Sequence, residues 1–397
     1  VHYEDTSTQM VALNIVYDVG ARDEHPEHTG FAHLFEHLMF GGSAHIPDYD
    51  TPLQLAGGEN NAWTNNDITN YYLTVPKPNV ETAFWLESDR MLELAFSEQS
   101  LEVQRGVVME EFKQRCLNQP YGDVGHLFRP LAFRVHPYRW PTIGKELSHI
   151  EQATLDEVKS FFYRFYAPNN AVLAVTGNIS WDETVKLTEK WFAPIPRRDV
   201  PVRQLPQEPE QTQERRLTVE RNVPLDALFM GYHMCSREGA DYYAFDILSD
   251  ILSNGRSSRL NRRLVQEQNI FSGIDAYISG TRDAGLLQIS GKPAAGVSLE
   301  QAEAAVRKEL EELQRSPVDG QELEKVKNKF ESTQIFGNIN YLNVATNLAW
   351  FELTGKAEDI DLEVERYRSV TTEQLHTVAQ RTFCESNAVV LYYKSDK

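Results

Sequence analysis

Two histidines and a glutamate near residue 35 have the types and spacing of a metal-dependent hydrolytic site. The pattern HLFEH contains His33, Glu36 and His37. At about 100° per residue, a helix projects all three side chains from one face. Two imidazoles four residues apart can share one zinc ion, and the carboxylate between them can act as a general base on water. The apolar residues around them predict a mostly buried helix, in which unpaired polar groups would be costly.

A zinc site needs a third protein ligand, and a later acidic pair can supply it. Glu110 and Glu111 lie in the segment LEVQRGVVMEEFKQRC, which is predicted to be a helix. On a helical wheel Glu111 falls between Val107 and Val108, whereas Glu110 falls about 100° towards the polar side. The apolar arc of this helix is predicted to comprise Leu101, Val107, Val108, Met109, Phe112 and Cys116. We therefore predict one zinc ion per chain, with Glu111 as the third ligand and Glu110 exposed to solvent.

Composition and charge exclude several classes of function. The 397 residues include 39 Lys and Arg against 58 Asp and Glu, which gives a net charge of −19. Such an acidic chain repels phosphate backbones, so nucleic acid is not an expected partner. No apolar run approaches the roughly 18 residues of a membrane span. The chain begins at Val1 without a leader pattern, as expected after removal of a signal or trimming, so its compartment stays open.

The three cysteines are Cys116, Cys235 and Cys384. They are far apart in the sequence and form no C-x-x-C pair. This pattern favours free thiols over a disulfide framework or a thiolate zinc site.

Two pairs of similar segments indicate an internal duplication. The pattern of helix, turn and strand at Thr154–Val175 recurs at Thr371–Tyr392. The strand pattern at Thr8–Tyr17 recurs at Val223–Tyr232. The two offsets are 217 and 215 residues, so the register holds across a whole half of the chain.

A proline-rich and charged segment separates the two halves. We predict a zinc-binding domain at residues 1–193, a linker at residues 194–213 that is exposed, and a homologous C-terminal domain without a zinc site at residues 214–397. The predicted fold class is α+β, with two homologous α/β domains, each a mainly antiparallel sheet covered by helices.

Local patterns in the first half predict the elements that position the candidate ligands. Thr29 is expected to cap a helix at Phe31–Phe40, which stops at the glycines that follow. Residues 61–75 are rich in Thr, Tyr and Trp, and predict a strand pair with a polar turn near Asn65. The remaining predictions are a strand at residues 10–19 and helices at Val80–Phe96 and Glu98–Leu117.

These motifs together resemble the pitrilysin/insulinase family of inverzincin metallopeptidases. The resemblance rests on HLFEH followed by QRGVVMEE, and extends to VGARDE, HLMFGGS, NAWTNNDITNYYLTVP, HPYRWPTIG and LSNGRSSRLNRRLVQEQ. The chain is similar to the small two-domain branch of bacterial peptidases that are like the mitochondrial processing peptidases. The resemblance implies zinc bound by His33, His37 and Glu111, with Glu36 as the general base of peptide hydrolysis.

The resemblance also implies how substrates and partner chains are bound. Members of this branch pair two chains into a chamber that takes unfolded peptides. An edge strand would pair with the backbone of the substrate, and its residues here would be Asn60, Asn61, Ala62, Trp63 and Thr64.

Two departures from the family pattern bear on catalysis. Self-sufficient members carry an Arg, and a Tyr seven residues later, that polarise the scissile carbonyl, but Val265 and Ser272 stand at those positions here. Gln104 stands seven residues before Glu111, where many relatives have a Glu that supports the metal ligands. We therefore expect a heterodimer in which a homologous chain supplies the Arg and Tyr, with a homodimer as the alternative.

The leading hypothesis is a zinc endopeptidase subunit that cleaves unfolded peptides. The alternative is a structural or assembly subunit of the same fold without turnover, which the missing Arg/Tyr pair would suit. A third interpretation, a zinc hydrolase acting on a non-peptide bond, has only the three-ligand argument in its favour.

Overall fold

The computed structural model describes residues 1–396, which form two compact units. The first unit comprises Val1–Asn118, His136–Pro206 and Ile335–Leu362. The second unit comprises Gln119–Val135, Gln207–Gln334 and the chain from Glu363 onwards. Each unit is built on one five-stranded sheet.

The two sheets have the same topology. The first contains β1 (His2–Glu4), β2 (Met10–Tyr17), β3 (Glu59–Thr64), β4 (Thr69–Pro76) and β5 (Ala171–Gly177), in the order β1-β5-β2-β4-β3. The second contains β6 (Arg215–Arg221), β7 (Ala227–His233), β8 (Phe271–Ile278), β9 (Leu286–Pro293) and β10 (Ala388–Ser395), in the order β6-β10-β7-β9-β8. In each sheet one outer pair is parallel and all other pairs are antiparallel. The predicted fold class of two mainly antiparallel sheets covered by helices is confirmed.

Most helices of both units lie between strands in the sequence. They are α1 (Phe31–Leu38), α2 (Asp50–Leu55), α3 (Val80–Leu92), α4 (Glu98–Phe112), α5 (Val124–Ala132), α6 (Leu147–Glu151), α7 (Leu155–Phe165), α8 (Trp181–Trp191), α9 (Tyr242–Ser253), α10 (Leu299–Arg315), α11 (Gly320–Gly337), α12 (Tyr341–Thr354), α13 (Glu363–Ser369) and α14 (Thr372–Thr382). Among residues 1–396, no helix combines the length and the apolar character that crossing a membrane requires.

The duplication extends to individual hydrogen bonds. The Asn170 side chain, between α7 and β5, donates to the carbonyl of Phe165 at 2.8 Å. The Asn387 side chain, between α14 and β10, donates to the carbonyl of Thr382 at 2.9 Å. In both units the bond spans five residues and closes the turn from a helix into the strand that lies second in its sheet.

One helix of each half packs in the unit built mainly from the other half. Helix α5 contacts β6, β7 and β10 of the second unit, and α12 contacts β2 and β5 of the first. Their first residues, Val124 and Tyr341, are 217 residues apart, which is one of the offsets of the duplication. The domain boundaries predicted after residues 193 and 213 describe the duplicated halves of the sequence, and they stay a prediction. The two packed units are not the same as these halves, because each contains a helix from the other half.

The proline-rich segment at residues 194–213 has no regular secondary structure but is held by its arginines. The Arg198 guanidinium donates to the carbonyl of Tyr166 at 2.6 Å. Arg203 donates to the carboxylates of Asp18 and Asp23 at 2.7 and 2.5 Å. The segment is thus largely exposed, as predicted, but it is anchored to the first unit up to Pro206.

Element boundaries differ from the predictions at helix ends. Helix α3 ends at Leu92 rather than Phe96, since Glu93 is extended and Phe96 has a φ of 40°. Helix α4 ends at Phe112, and one π-helical turn, Lys113–Leu117, continues it to the predicted end. The predicted hairpin is confirmed: β3 and β4 are joined by a turn in which the Asn65 side chain accepts two backbone N–H groups.

A candidate metal centre on two helices

Helix α1 presents its apolar residues to the core of the first unit and its polar residues to a neighbouring helix. Five of its side chains are buried in the core, namely Phe31, Ala32, Leu34, Phe35 and Leu38. His33, Glu36 and His37 share the remaining face, and α1 packs against α4. The residues that the HLFEH pattern puts on one face therefore meet the helix that carries Glu110 and Glu111.

His33, His37 and Glu111 come together at the contact between α1 and α4. The Nε2 atoms of His33 and His37 lie 3.5 and 3.4 Å from the Oε2 atom of Glu111. One ligand atom from each residue lies within 4.8 Å of the other two. Within residues 1–396, no other group of three or more His, Cys, Asp or Glu side chains has its potential ligand atoms this close together.

The two neighbouring glutamates have different surroundings. The second carboxylate oxygen of Glu111, Oε1, accepts from Arg115 at 2.8 Å. Arg115 reaches it from the π-helical turn that follows α4. Glu110 instead pairs with Lys113 at 2.6 Å, and its side chain is 65% exposed. Glu111 therefore faces the histidines, and Glu110 faces solvent.

The pKa shifts follow from burial and from contacts within the cluster. Burial lowers the pKa of His33 to about 4, so its imidazole is neutral at physiological pH. Hydrogen bonding with His37 lowers the pKa of Glu111, which keeps that carboxylate ionised. Burial raises the pKa of Glu36, and the nearby Thr64 hydroxyl opposes that rise. A neutral imidazole and an ionised carboxylate are the forms that bind metal ions.

The donor set and its spacing fit zinc. In a tetrahedral site with bonds of about 2.1 Å, neighbouring ligand atoms are about 3.4 Å apart. The two distances from histidine nitrogen to Glu111 oxygen have this value within 0.1 Å. The Nδ1 atom of His33 is buried and has no hydrogen-bond partner within residues 1–396, so Gln104 does not supply one.

The helical wheel of α4 was wrong at one residue. Val107 was predicted in the apolar arc, but it is 47% exposed, whereas Leu101, Val108, Phe112 and Cys116 are buried. The buried arc is narrower than predicted, because α4 packs over one side only. Glu111 lies at the border of this arc, half-buried.

The predicted cap of α1 was also wrong. Gly30, in the left-handed conformation with a φ of 86°, is the N-cap residue, and Thr29 does not cap the helix. The Thr29 hydroxyl instead accepts the backbone N–H of Lys145 at 2.8 Å. Glu24 accepts hydrogen bonds from the first turn, from the N–H groups of Gly30 and Ala32. Sequence reasoning gave Glu24 no role, although a glycine at the N-cap position signals that the cap must come from another residue.

The predicted substrate-binding residues lie on β3, the edge strand of the first sheet. The Thr64 hydroxyl, at the end of β3, donates to the Thr69 hydroxyl at 3.5 Å and lies near enough to Glu36 to oppose the rise in the pKa of that carboxyl group. The N–H of Ala62 donates to the Asn61 side chain at 2.8 Å, and Asn60 donates to Asp50. Trp63 is 36% exposed. The strand is thus adjacent to α1, and the hydrogen bond of the Ala62 N–H is made to a side chain of the same strand.

Val265 and Ser272 lie in the second unit, the first in a π-helical segment, Asn261–Glu267, and the second in β8. Val265 packs against the apolar core of that unit. The Ser272 hydroxyl is exposed and donates to the carbonyl of Lys292 at 3.1 Å. Neither side chain carries a positive charge or a phenol.

Comparison with known proteins agrees with this fold. The sequence profile of the family described as "Insulinase (Peptidase family M16)" matches residues 1–123, and that described as "Peptidase M16 inactive domain" matches residues 152–330. The zinc protease PqqE of Helicobacter pylori is 26% identical over 395 residues, which cover 98% of this chain and 89% of the relative.

Solved structures share the fold over the full length of the chain. The crystal structure of a protease from Helicobacter pylori has a TM-score of 0.91 at 26% identity, and the match covers 98% of this chain and 95% of that one. A peptidase M16 inactive domain from Pseudomonas fluorescens has a TM-score of 0.89 at 17% identity, covering 100% and 95%. The two matched profiles, the relatives named zinc protease and the two-domain size all agree. The chain belongs to the pitrilysin/insulinase family of peptidases, family M16.

Proposed function

We propose that this protein is the metal-binding subunit of a zinc-dependent endopeptidase that cleaves unfolded peptides. The observation that carries the proposal is the convergence of His33, His37 and Glu111 at zinc-like spacing, with Glu36 on the same face of α1. The names of the relatives agree with a zinc protease.

The three cluster residues and Glu36 have different roles in the proposed reaction. His33, His37 and Glu111 would hold one zinc ion, which would acidify water and polarise a peptide carbonyl when bound. Glu36 accepts the proton of the attacking water and passes it to the leaving amine. The raised pKa of Glu36 suits this exchange. A residue that acts first as a base and then as an acid works best when its pKa lies near the operating pH.

The substrate is proposed to bind as an added strand along residues 60–64. An edge strand offers main-chain donors and acceptors that recognise extended peptides of many sequences. Because the Thr64 hydroxyl lies near the Glu36 carboxyl group, a peptide on β3 would lie beside the base. Folded proteins, whose backbone groups are already paired, would be poor substrates.

A homologous partner chain is proposed to complete the site. Val265 and Ser272 cannot donate a charged or phenolic hydrogen bond to a developing oxyanion. A heterodimer in which the partner supplies an Arg and a Tyr accounts for a chain that has three potential zinc ligands but lacks this Arg/Tyr pair. A homodimer is the alternative.

The substitution Glu36→Gln tests the proposal. The amide cannot accept the water's proton, so peptide hydrolysis should fall by about 10²- to 10⁴-fold. Zinc content, measured by elemental analysis, and the melting temperature should stay close to those of the wild type. The wild type and the variant are to be assayed alone and together with the chain that copurifies from cells. Near wild-type turnover by Glu36→Gln would disprove its role as the base.

A non-catalytic assembly subunit is the second candidate. It is favoured by Val265 and Ser272, and by the profile described as an inactive domain, which matches residues 152–330. The two candidates differ in one measurement: the assembly subunit would hydrolyse no unfolded peptide, with or without its partner chain.

A further inference from the structure

Helix α1 carries the cluster, but its own N-cap residue cannot cap it. The first N–H groups of any helix lack acceptors within the helix. Gly30 has no side chain, and a Cβ atom there would lie 2.6 Å from Ile150 Cδ1 and 2.9 Å from the carbonyl oxygen of Ile143. A capping side chain at this position is therefore excluded by the packing, and the acceptor must come from another part of the chain.

The Glu24 carboxylate supplies that acceptor with both of its oxygens. Oε2 accepts the N–H of Gly30 at 2.9 Å, and Oε1 accepts the N–H of Ala32 at 2.9 Å. Two oxygens of one planar group, bonded to backbone atoms two residues apart, fix both the start of α1 and its rotation about the axis. Burial raises the pKa of Glu24 to about 8, and the hydrogen bonds from Ala32, Gly30 and Trp140 oppose that rise.

Trp140 holds the Glu24 carboxylate in place from the other side. The indole Nε1–H lies 3.1 Å from Glu24 Oε2 and 3.0 Å from the carbonyl oxygen of Ala21. Glu24 is 6% exposed, and Trp140 is also buried. Two motifs that are more than 100 residues apart, VGARDE and HPYRWPTIG, therefore meet at the start of α1.

We propose that Glu24 is a positioning residue for the metal cluster and that Trp140 supports it. This inference rests on the proposed zinc site. His33 follows Ala32 directly, so the rotation that Glu24 fixes is the rotation that directs His33 and His37 towards Glu111 on α4. Functional groups of this kind must be held within about 0.5 Å and 10–20° of their working geometry. A small rotation of α1 would separate the histidines from Glu111 without unfolding the helix.

Another helix of the same unit provides a matched control. Helix α7 is capped locally by the Thr154 hydroxyl, which accepts the N–H of Glu157, and α7 carries no cluster residue. The hydrogen bonds of this cap join only Thr154 and Glu157, so we expect their removal to destabilise the unit without rotating α1. A role of Glu24 in stability alone would make the two substitutions equivalent.

The test measures the zinc affinity of the full-length chain by competition with a chromophoric chelator. Glu24→Gln keeps one acceptor but turns an NH₂ donor towards the other backbone N–H. We expect zinc affinity to fall about 10-fold, as for other residues that orient metal ligands. Trp140→Phe, a milder change that serves if Glu24→Gln folds poorly, should lower the affinity by a smaller factor. Thr154→Ala should lower the melting temperature and leave the affinity unchanged.

A metal-free measurement separates this inference from the proposed function. By hydrogen exchange, Glu24→Gln should speed exchange of the amides at residues 34–38, whereas Thr154→Ala should speed exchange in α7. Unchanged exchange in α1, or equal loss of zinc affinity in Glu24→Gln and Thr154→Ala, would overturn the role of Glu24. If the wild type bound no zinc, the proposed function would fail, and faster exchange in α1 would still support Glu24 as the residue that fixes this helix.

Discussion

The two units share one topology but use corresponding helices differently. Helix α1 follows β2 in the first unit, and α9 follows β7 in the second. Both carry a polar pair four residues apart, which is His33 and His37 in α1 but Asp246 and Asp250 in α9. Asp246 accepts from the Tyr367 hydroxyl at 2.5 Å, and Asp250 accepts from the side chain of the nearby Asn254 at 2.7 Å. The histidine pair of α1 therefore faces a carboxylate on the neighbouring helix α4, whereas the aspartate pair of α9 is held by hydrogen bonds within its own unit.

The edge strands differ in the same way. In the second sheet, the Ser253 hydroxyl of α9 accepts the N–H of Ala276 at 2.7 Å and donates to the carbonyl of Ala276 at 3.0 Å. A helix residue therefore occupies the outward-facing backbone groups of Ala276 on β8. In the first sheet, the N–H of Ala62 is bonded only to the Asn61 side chain of its own strand among the hydrogen bonds of residues 1–396. If the exposed Asn61 side chain rotates away, a peptide carbonyl can accept the Ala62 N–H in its place. The β3 edge is therefore more available than the β8 edge for pairing with a peptide.

Metal binding is the largest expected difference between the helices. His37→Ala or Glu111→Ala should remove most of the bound zinc, because each deletes one of three protein ligands. Glu110→Ala and Asp250→Asn should retain it, since Glu110 faces solvent and Asp250 lies in α9. Elemental analysis of the purified variants measures the effect. Retention of zinc by Glu111→Ala together with its loss from Glu110→Ala would reverse the assignment.

The missing Arg/Tyr pair of the second unit gives the next largest effect. The isolated chain should show weak activity or none, because loss of oxyanion donors lowers turnover by about 10²- to 10³-fold. Mixing with a homologous chain that carries the Arg and Tyr should restore peptide cleavage in a fluorogenic assay. Substitution of either residue in that partner should abolish the gain without releasing zinc from this chain. Full activity of the single chain, unchanged by any partner, would contradict this division of labour.

Proline substitutions test the difference between the edge strands. Ala62→Pro removes a donor on β3, so KM for an unfolded peptide should rise by about 3- to 10-fold, the value of one hydrogen bond. Zinc content should not change. Ala276→Pro, on β8, should leave KM unchanged but destabilise the fold, since its N–H is bonded to Ser253. Equal cleavage rates for the folded and unfolded forms of one substrate would exclude strand addition at β3.

The smallest expected effect is on stability and comes from Ser253. Ser253→Ala leaves the N–H and the carbonyl of Ala276 without their partner, so the free energy of unfolding should fall by about 1–3 kcal/mol. Denaturant titration measures this, and zinc content and KM should match those of the wild type. A change in KM would show that the β8 edge also contributes to substrate binding.

Sequence patterns predicted the elements whose contacts are local. The HLFEH helix, the β3–β4 hairpin with its Asn65 turn, and the duplicated pattern of helix, turn and strand all depend on residues within about 20 positions of one another. Hydrophobic periodicity and turn chemistry are set at that range. The predictions of helix ends were less accurate. Thr29, for example, was predicted to cap α1, but its hydroxyl accepts a hydrogen bond from the distant Lys145.

The sequence by itself determined that two histidines and a glutamate share a helical face and that two similar halves follow each other. The helical wheel of α4 also favoured Glu111 over Glu110, but only the tertiary structure showed how close Glu111 lies to those histidines. Only the tertiary structure decided that Val107 is exposed and that α5 and α12 pack in the units built mainly from the opposite halves. It also decided that Glu24, held by Trp140, caps α1. The physical reason is that the rotation of one helix against another, and the acceptor for a helix end that lacks its own cap, depend on groups far apart in the chain. Local periodicity contains no information about such groups.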